Sequence, residues 1–237
     1  MSLMRIIVGW MVLWFSAWLG WIFLFKSGIN SITTYRTAGV YLLFLSLLVG
    51  VLYRTPLSQL FLFLPLRLFP LYVLFAFFAT IVFIYFGAQR IFDKNVLKSH
   101  QNNNLFFAMM DYRFLFVKSC DILFQQLAFL SLVLSLKSLA LSITQCIIIA
   151  GCVFGAVHLP LLKLRYHKLV HIFVLASFFA GFIFAFLIFT LPYGFIYAYI
   201  IHWMFYLYLG LSYNVRVHKQ IRKTQKQSEL KLYKETP

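Results

Sequence analysis

The sequence predicts an all-α fold, a polytopic transmembrane helix bundle of about seven spans. Three observations carry that expectation. Apolar residues make up 63% of the 237 positions and charged residues only 11%, against about 45–50% and about 25% in soluble domains. Apolar stretches of about 20 residues recur, each long enough to cross a hydrocarbon core of about 30 Å as a helix. Alternating barrel-strand patterns are absent, so helices must satisfy the backbone in lipid.

Taken in order, the spans fall at 6–25, 38–53, 69–88, 119–136, 139–159, 169–190 and 193–213. The first begins after Arg5 and stops at Lys26. It exceeds a signal-peptide core of about 7–15 residues and no A-x-A-like site follows, so it is expected to stay as an anchor. Residues 56–68, PLSQLFLFLPLRL, carry two prolines and an arginine and read as an interfacial or re-entrant segment. The polar loop at 89–104 precedes LFFAMMDYRFLFVK (105–118), read as an interfacial helix. Three regions result: N-terminal spans and polar loop (1–104), a membrane core (105–213) and a basic tail (214–237).

The net charge of +16 does not point to nucleic acid, because membrane proteins collect Lys and Arg in cytoplasmic loops. With seven spans, one side carries Arg5, Arg54, Arg67 and Lys137, and the other carries the remaining 17 basic residues. Positive-inside bias then puts the tail in the cytoplasm and the N-terminus outside. Cys120, Cys146 and Cys152 lie in or beside apolar runs without zinc spacing, and read as buried thiols.

Polar groups inside spans are costly and face the bundle interior, which makes them site candidates. They are Gln125 and Gln126, His158, His202, and Asp121 one turn before Gln125. The directions of their spans put the glutamines, His158 and His202 in one depth range, from the midplane to the cytoplasmic side. Each also has a plainer role. A Gln or His can simply join two helices, contributing about 0.6–2 kcal/mol. Asp121 can pair with Lys118 three residues earlier, and Tyr206 belongs to an aromatic-rich span. Ser131, Ser135, Ser138 and Ser142 lack a nucleophile-elbow setting, and HExxH is absent. Haem ligation by His158 and His202 would require equal depths. No metal and no cofactor is expected.

In order and setting these residues resemble the CAAX-protease and bacteriocin-processing family, the type II CAAX prenyl proteases and their bacterial relatives. Its motifs are E-E-x-x-x-R in one span, F-x-x-x-H ending the next, and H-x-x-x-N or H-x-x-x-D in a later one. Here FGAVH runs from Phe154 to His158, followed by Leu159, and HWMFY supplies His202 with Tyr206 at the Asn/Asp position. QQLAFL places Gln125 and Gln126 at the glutamates, Phe129 at the frequent aromatic and Leu130 at the arginine.

The resemblance covers about residues 105–213. It implies that Gln125 and His158 stand where a water is activated, and His202 and Tyr206 where an oxyanion is held. It also implies a bacterial inner (plasma) membrane. Gln has nearly the shape of Glu but no titratable proton, so it cannot act as general base. Replacing both the second glutamate and the arginine avoids a stranded buried cation, which costs about 3–5 kcal/mol.

The expectation is therefore a degenerate, catalytically impaired site that binds a peptide, a lipidated chain end or another membrane protein in the bilayer. One rival is an active endopeptidase using His158 with Asp121 or a Gln-bound water. Another is a bacteriocin-immunity-type protector or small transporter, though a transporter would want more gating glycines and prolines.

The tail carries seven Lys and Arg residues, which fix orientation. They are also expected to adsorb to anionic lipid at about 1 kcal/mol per basic residue near the surface. A peptide of residues 214–237 should bind anionic vesicles far better than neutral ones, and equal binding to both would refute adsorption.

Overall fold

The computed structural model describes residues 2–26, 32–57, 112–164, 168–191 and 193–208. Its helices are numbered here among those residues. They are α1 (Leu3–Lys26), α2 (Ile32–Leu52), α3 (Tyr112–Lys137), α4 (Ile143–Ala156), α5 (Leu161–Leu164) and α6 (Lys168–Thr190), with α7 over 194–208. The third expected span, the loop at 89–104, the tail and most of 56–68 lie outside the described residues.

Among the described residues four stretches are long and apolar enough to cross a membrane: Leu3–Gly20, Phe116–Lys137, Ile143–Lys163 and His171–Thr190. They mark an integral membrane protein with lipid-facing helices. The apolar part of α2, Arg36–Leu52, is shorter.

Three expectations need correction. Cys152, read with Cys120 and Cys146 as a buried thiol, is exposed. Residues 112–118, read as the end of a separate interfacial helix, are the first turns of α3. The fifth span, read as continuous over 139–159, starts at Ile143 and breaks after Ala156. Its start is set by a capping box, in which Ser142 and Gln145 satisfy each other's backbone N–H groups. The break precedes Pro160, which has no N–H to donate. There the bonds tighten to i→i−3, with the His158 N–H on Gly155 O at 3.0 Å and Leu159 N–H on Ala156 O at 3.1 Å.

α3 is the axis of the bundle. Of its apolar stretch, 83% is buried, against 22% for α1 and for α6. It packs most extensively on α2 and also touches α1, α4 and α6. α1 is tied to it by Trp10, whose indole N–H donates to Ala128 O at 2.6 Å.

The second large contact is α4 on α6, and glycines make it close. Gly151 and Gly155 are four apart on α4, in the small-xxx-small spacing that lets helix backbones approach. Phe182 and Phe178 of α6 lie where their β-carbons would be. A β-carbon on Gly181 would stand 2.9 Å from the Gly151 Cα. This seat holds the end of α4, and so His158, against the bundle. Between α6 and α7, Tyr193 takes a positive φ of 64°, and Gly194 meets the Leu187 carbonyl so closely that a side chain there would collide.

Gly181→Leu should therefore lower thermal stability in bilayer discs by an amount typical of overpacking, about 1–3 kcal/mol or more. Gly9→Ala, with nothing within 4 Å of its added carbon, should leave the melting temperature unchanged or slightly raised. Equal effects of the two substitutions would remove the glycine seat from this account.

Candidate functional site

Lys118, Asp121 and Gln125 fall at i, i+3 and i+7, which puts them on one stripe of α3. The Lys118 ammonium donates to Asp121 Oδ2 at 2.6 Å, forming the expected pair. Gln125 Nε2 donates to the other carboxylate oxygen at 2.9 Å. Both oxygens of Asp121 are thus engaged. The Lys118 Nζ also sits 3.9 Å from the centre of the Tyr206 ring, a cation–π contact between α3 and α7.

Gln126, one residue on, faces a different neighbour. It is fully buried, and its Nε2 lies 3.1 Å from Nδ1 of His202. With the amide donating, Nδ1 accepts and the imidazole proton sits on Nε2. The His202 ring stacks on Tyr206 at 5.5 Å and 26°, and tilts against Phe184 at 5.5 Å. The glutamine that meets a histidine directly is therefore Gln126, while Gln125 holds Asp121.

His158 lies in the turn after α4. Because its backbone N–H has moved to Gly155 O, the Phe154 carbonyl loses the α-helical donor it would otherwise have. The His158 side chain replaces that donor, with Nδ1 2.7 Å from Phe154 O. A carbonyl can only accept, so Nδ1 carries the proton and Nε2 is left as the basic nitrogen. The two histidines thus present opposite Nε2 chemistry, basic on His158 and proton-bearing on His202. They lie within electrostatic reach of each other and of Lys118 and Asp121.

An aromatic floor separates them. Phe129 meets Phe154 at 4.9 Å and Phe184 at 6.2 Å, and Phe154 meets Phe184 at 6.2 Å. Trp14 of α1 closes the His158 side, with its ring 5.5 Å from the imidazole in an edge-on arrangement. Leu130, at the position where the resemblance puts an arginine, is fully buried beside Leu134 and Phe195.

Most span hydroxyls satisfy themselves on their own helix. Ser16, Ser46, Ser177 and Thr190 donate to carbonyls four residues back at 2.7–2.8 Å. Against that background three buried polar atoms stand without a partner among the described residues: Trp14 Nε1, Gln126 Oε1 and Ser135 Oγ. Among the described residues no group of three or more His, Cys, Asp or Glu could hold a metal ion.

Sequence reasoning placed Gln125, Gln126, His158, His202, Tyr206 and Asp121 at the site; it missed Trp14 and the contact of Lys118 with Tyr206. The available signal for Trp14 was its i, i+4 spacing from Trp10 on the first span. No protein-family model matches this chain, and no curated protein and no solved structure matches it.

A double-mutant cycle with Gln126→Leu and His202→Phe should give a coupling of about 0.6–2 kcal/mol, the range for intramembrane hydrogen bonds. Lys118→Met alone should be severely destabilising, about 3–5 kcal/mol, because it strands Asp121 in a largely buried place. Adding Asp121→Asn should recover most of that loss. Additive effects in either pair would mean that the contact carries no energy.

Proposed function

We propose that this is a membrane protein of the CAAX-protease kind whose site binds a peptide or the membrane segment of another protein and does not cut it. The observation that carries this reading is the state of Asp121. It is the one carboxylate beside the histidines among the described residues, and its oxygens are held by Lys118 at 2.6 Å and Gln125 at 2.9 Å. A general base must be aimed at the water it deprotonates, and these two bonds turn the carboxylate toward donors on its own helix face. Gln125 and Gln126 offer no titratable group in its place. The only glutamates, Glu229 and Glu235, belong to the tail.

The Gln126–His202 bond supports the same reading from the structural side. An amide joins α3 to α7 where the resemblance puts a carboxylate, so the helices stay linked after the titrating group is gone. Leu130 adds to this, since a neutral glutamine needs no arginine four residues on.

One feature favours the rival enzyme. His158 is oriented by Phe154 O with Nε2 basic, the posture of an imidazole that accepts a proton. Working alone it would retain weak hydrolysis, because loss of one general base costs about 10²–10⁴ in rate.

The test is peptidase activity in bilayers with prenylated and unprenylated peptides. Wild type should show little or no cleavage. Gln125→Glu should raise it, and adding Gln126→Glu, Leu130→Arg and Tyr206→Asn should raise it further. Strong wild-type cleavage abolished by His158→Ala and His202→Ala would keep the site and refute the binding-only function. Strong cleavage that survives both changes would put the chemistry elsewhere.

A further inference from the structure

Trp14 belongs to no motif of the resemblance, yet its indole is almost completely buried, at 1% exposure. Its ring packs on His158 at 5.5 Å, Phe154 at 5.5 Å and Phe124 at 5.9 Å. Its N–H has no partner among the described residues. Four residues earlier, Trp10 shows the contrast: the same indole group on the same helix face donates to Ala128 O at 2.6 Å. Across the histidines, Gln126 is fully buried with its Oε1 unpartnered. One orphan donor and one orphan acceptor therefore flank the two imidazoles. Buried polar groups in native proteins are almost always paired, and inside a membrane no bulk water can supply the partner.

The formal charges point the same way. Lys118 and Asp121 neutralise each other at 2.6 Å, so the site offers no uncompensated charge to an ionic ligand. What it offers is an N–H on one side and a C=O on the other. A peptide backbone carries the complement, a carbonyl and an amide N–H at each residue, repeated about every 3.3–3.4 Å when extended.

We infer that Trp14 is a ligand-contacting residue of this site, and that its ligand is an uncharged stretch of peptide backbone rather than a charged chain end. A ligand carbonyl accepts from Trp14 Nε1, and a ligand amide N–H donates to Gln126 Oε1. This inference rests on the binding function proposed above, and names the chemistry of what is bound.

The experiment uses the full chain in bilayer discs and three probes. The first is the fluorine-labelled hydrophobic pentapeptide acetyl-Phe-Leu-Leu-Leu-Phe-amide. The second has the same sequence with a free carboxylate, and the third is the capped peptide with its backbone nitrogens methylated. The capped peptide should bind wild type best. Methylation should weaken it, and Trp14→Phe should weaken it about 3- to 10-fold, the loss of one hydrogen bond. Trp18→Phe should not.

In wild type the Trp14 indole ¹H resonance should move downfield when the capped peptide is added. That readout holds even if Trp14→Phe fails to fold. If neither capped nor free-acid peptide binds, the binding function itself falls. If the free acid binds as tightly or tighter, binding stands and the uncharged-ligand inference is overturned. Unchanged affinity in Trp14→Phe, or an unmoved indole resonance, removes Trp14 from the site.

Discussion

A polar side chain on α3 has nowhere to go but another helix or its own, because 83% of the helix's apolar stretch is buried and hydrocarbon replaces water around the bundle. The rest of the arrangement follows from how each such group is satisfied. Ser131 turns back to Ala128 O at 2.7 Å. Asp121 takes Lys118 and Gln125 from its own face. Gln126 reaches across to His202, as the Lys118 ammonium does to the Tyr206 ring. On α7 the imidazole and Tyr206 stack on each other, so the two links meet there. Four polar residues of α3 and two residues of α7 become one connected unit with one compensated ion pair.

His158 is positioned by a separate mechanism, backbone geometry rather than side-chain pairing. The glycine seat brings α4 against α6, and the approach of Pro160 ends the α-helical ladder within a turn of it. The displaced N–H frees the Phe154 carbonyl, and the imidazole fills the gap. A helix end inside a membrane must have its carbonyls satisfied, and here the side chain that satisfies one is also the candidate for chemistry. The tautomer of His158 is therefore a consequence of where the helix stops.

The existence and type of α1, α3 and α6 were legible because their apolar runs are long and uninterrupted, and composition alone excludes a soluble fold. The Lys118–Asp121 pair was legible because i, i+3 neighbours share a helix face. The break in the fifth span was harder to see: hydropathy runs straight through FGAVHLPLL, and only the missing donor of Pro160 interrupts it. The partner of Gln126 could not be read at all. Periodicity assigns a residue to a face, but the rotation of the facing helix depends on packing. Trp14 was hidden for a different reason, since a chain with five tryptophans and 29 phenylalanines gives one more aromatic little weight. The GCVFG spacing at 151–155 was visible and marks the α4–α6 contact, but it was passed over beside the histidine that follows it.

Neutrality is what ties these pieces to the proposed binding role. A glutamate at position 126 would need a compensating cation. The place four residues on is filled by Leu130, fully buried beside Leu134 and Phe195. An unpaired carboxylate there would carry a desolvation penalty of several kcal/mol, or would hold a proton and donate instead of accept. The amide avoids both outcomes: it donates to the neutral His202 ring and leaves a carbonyl oxygen over. A neutral side chain at this position thus links the two helices and keeps an acceptor oxygen to spare among the described residues, while Asp121 is held by its own helix.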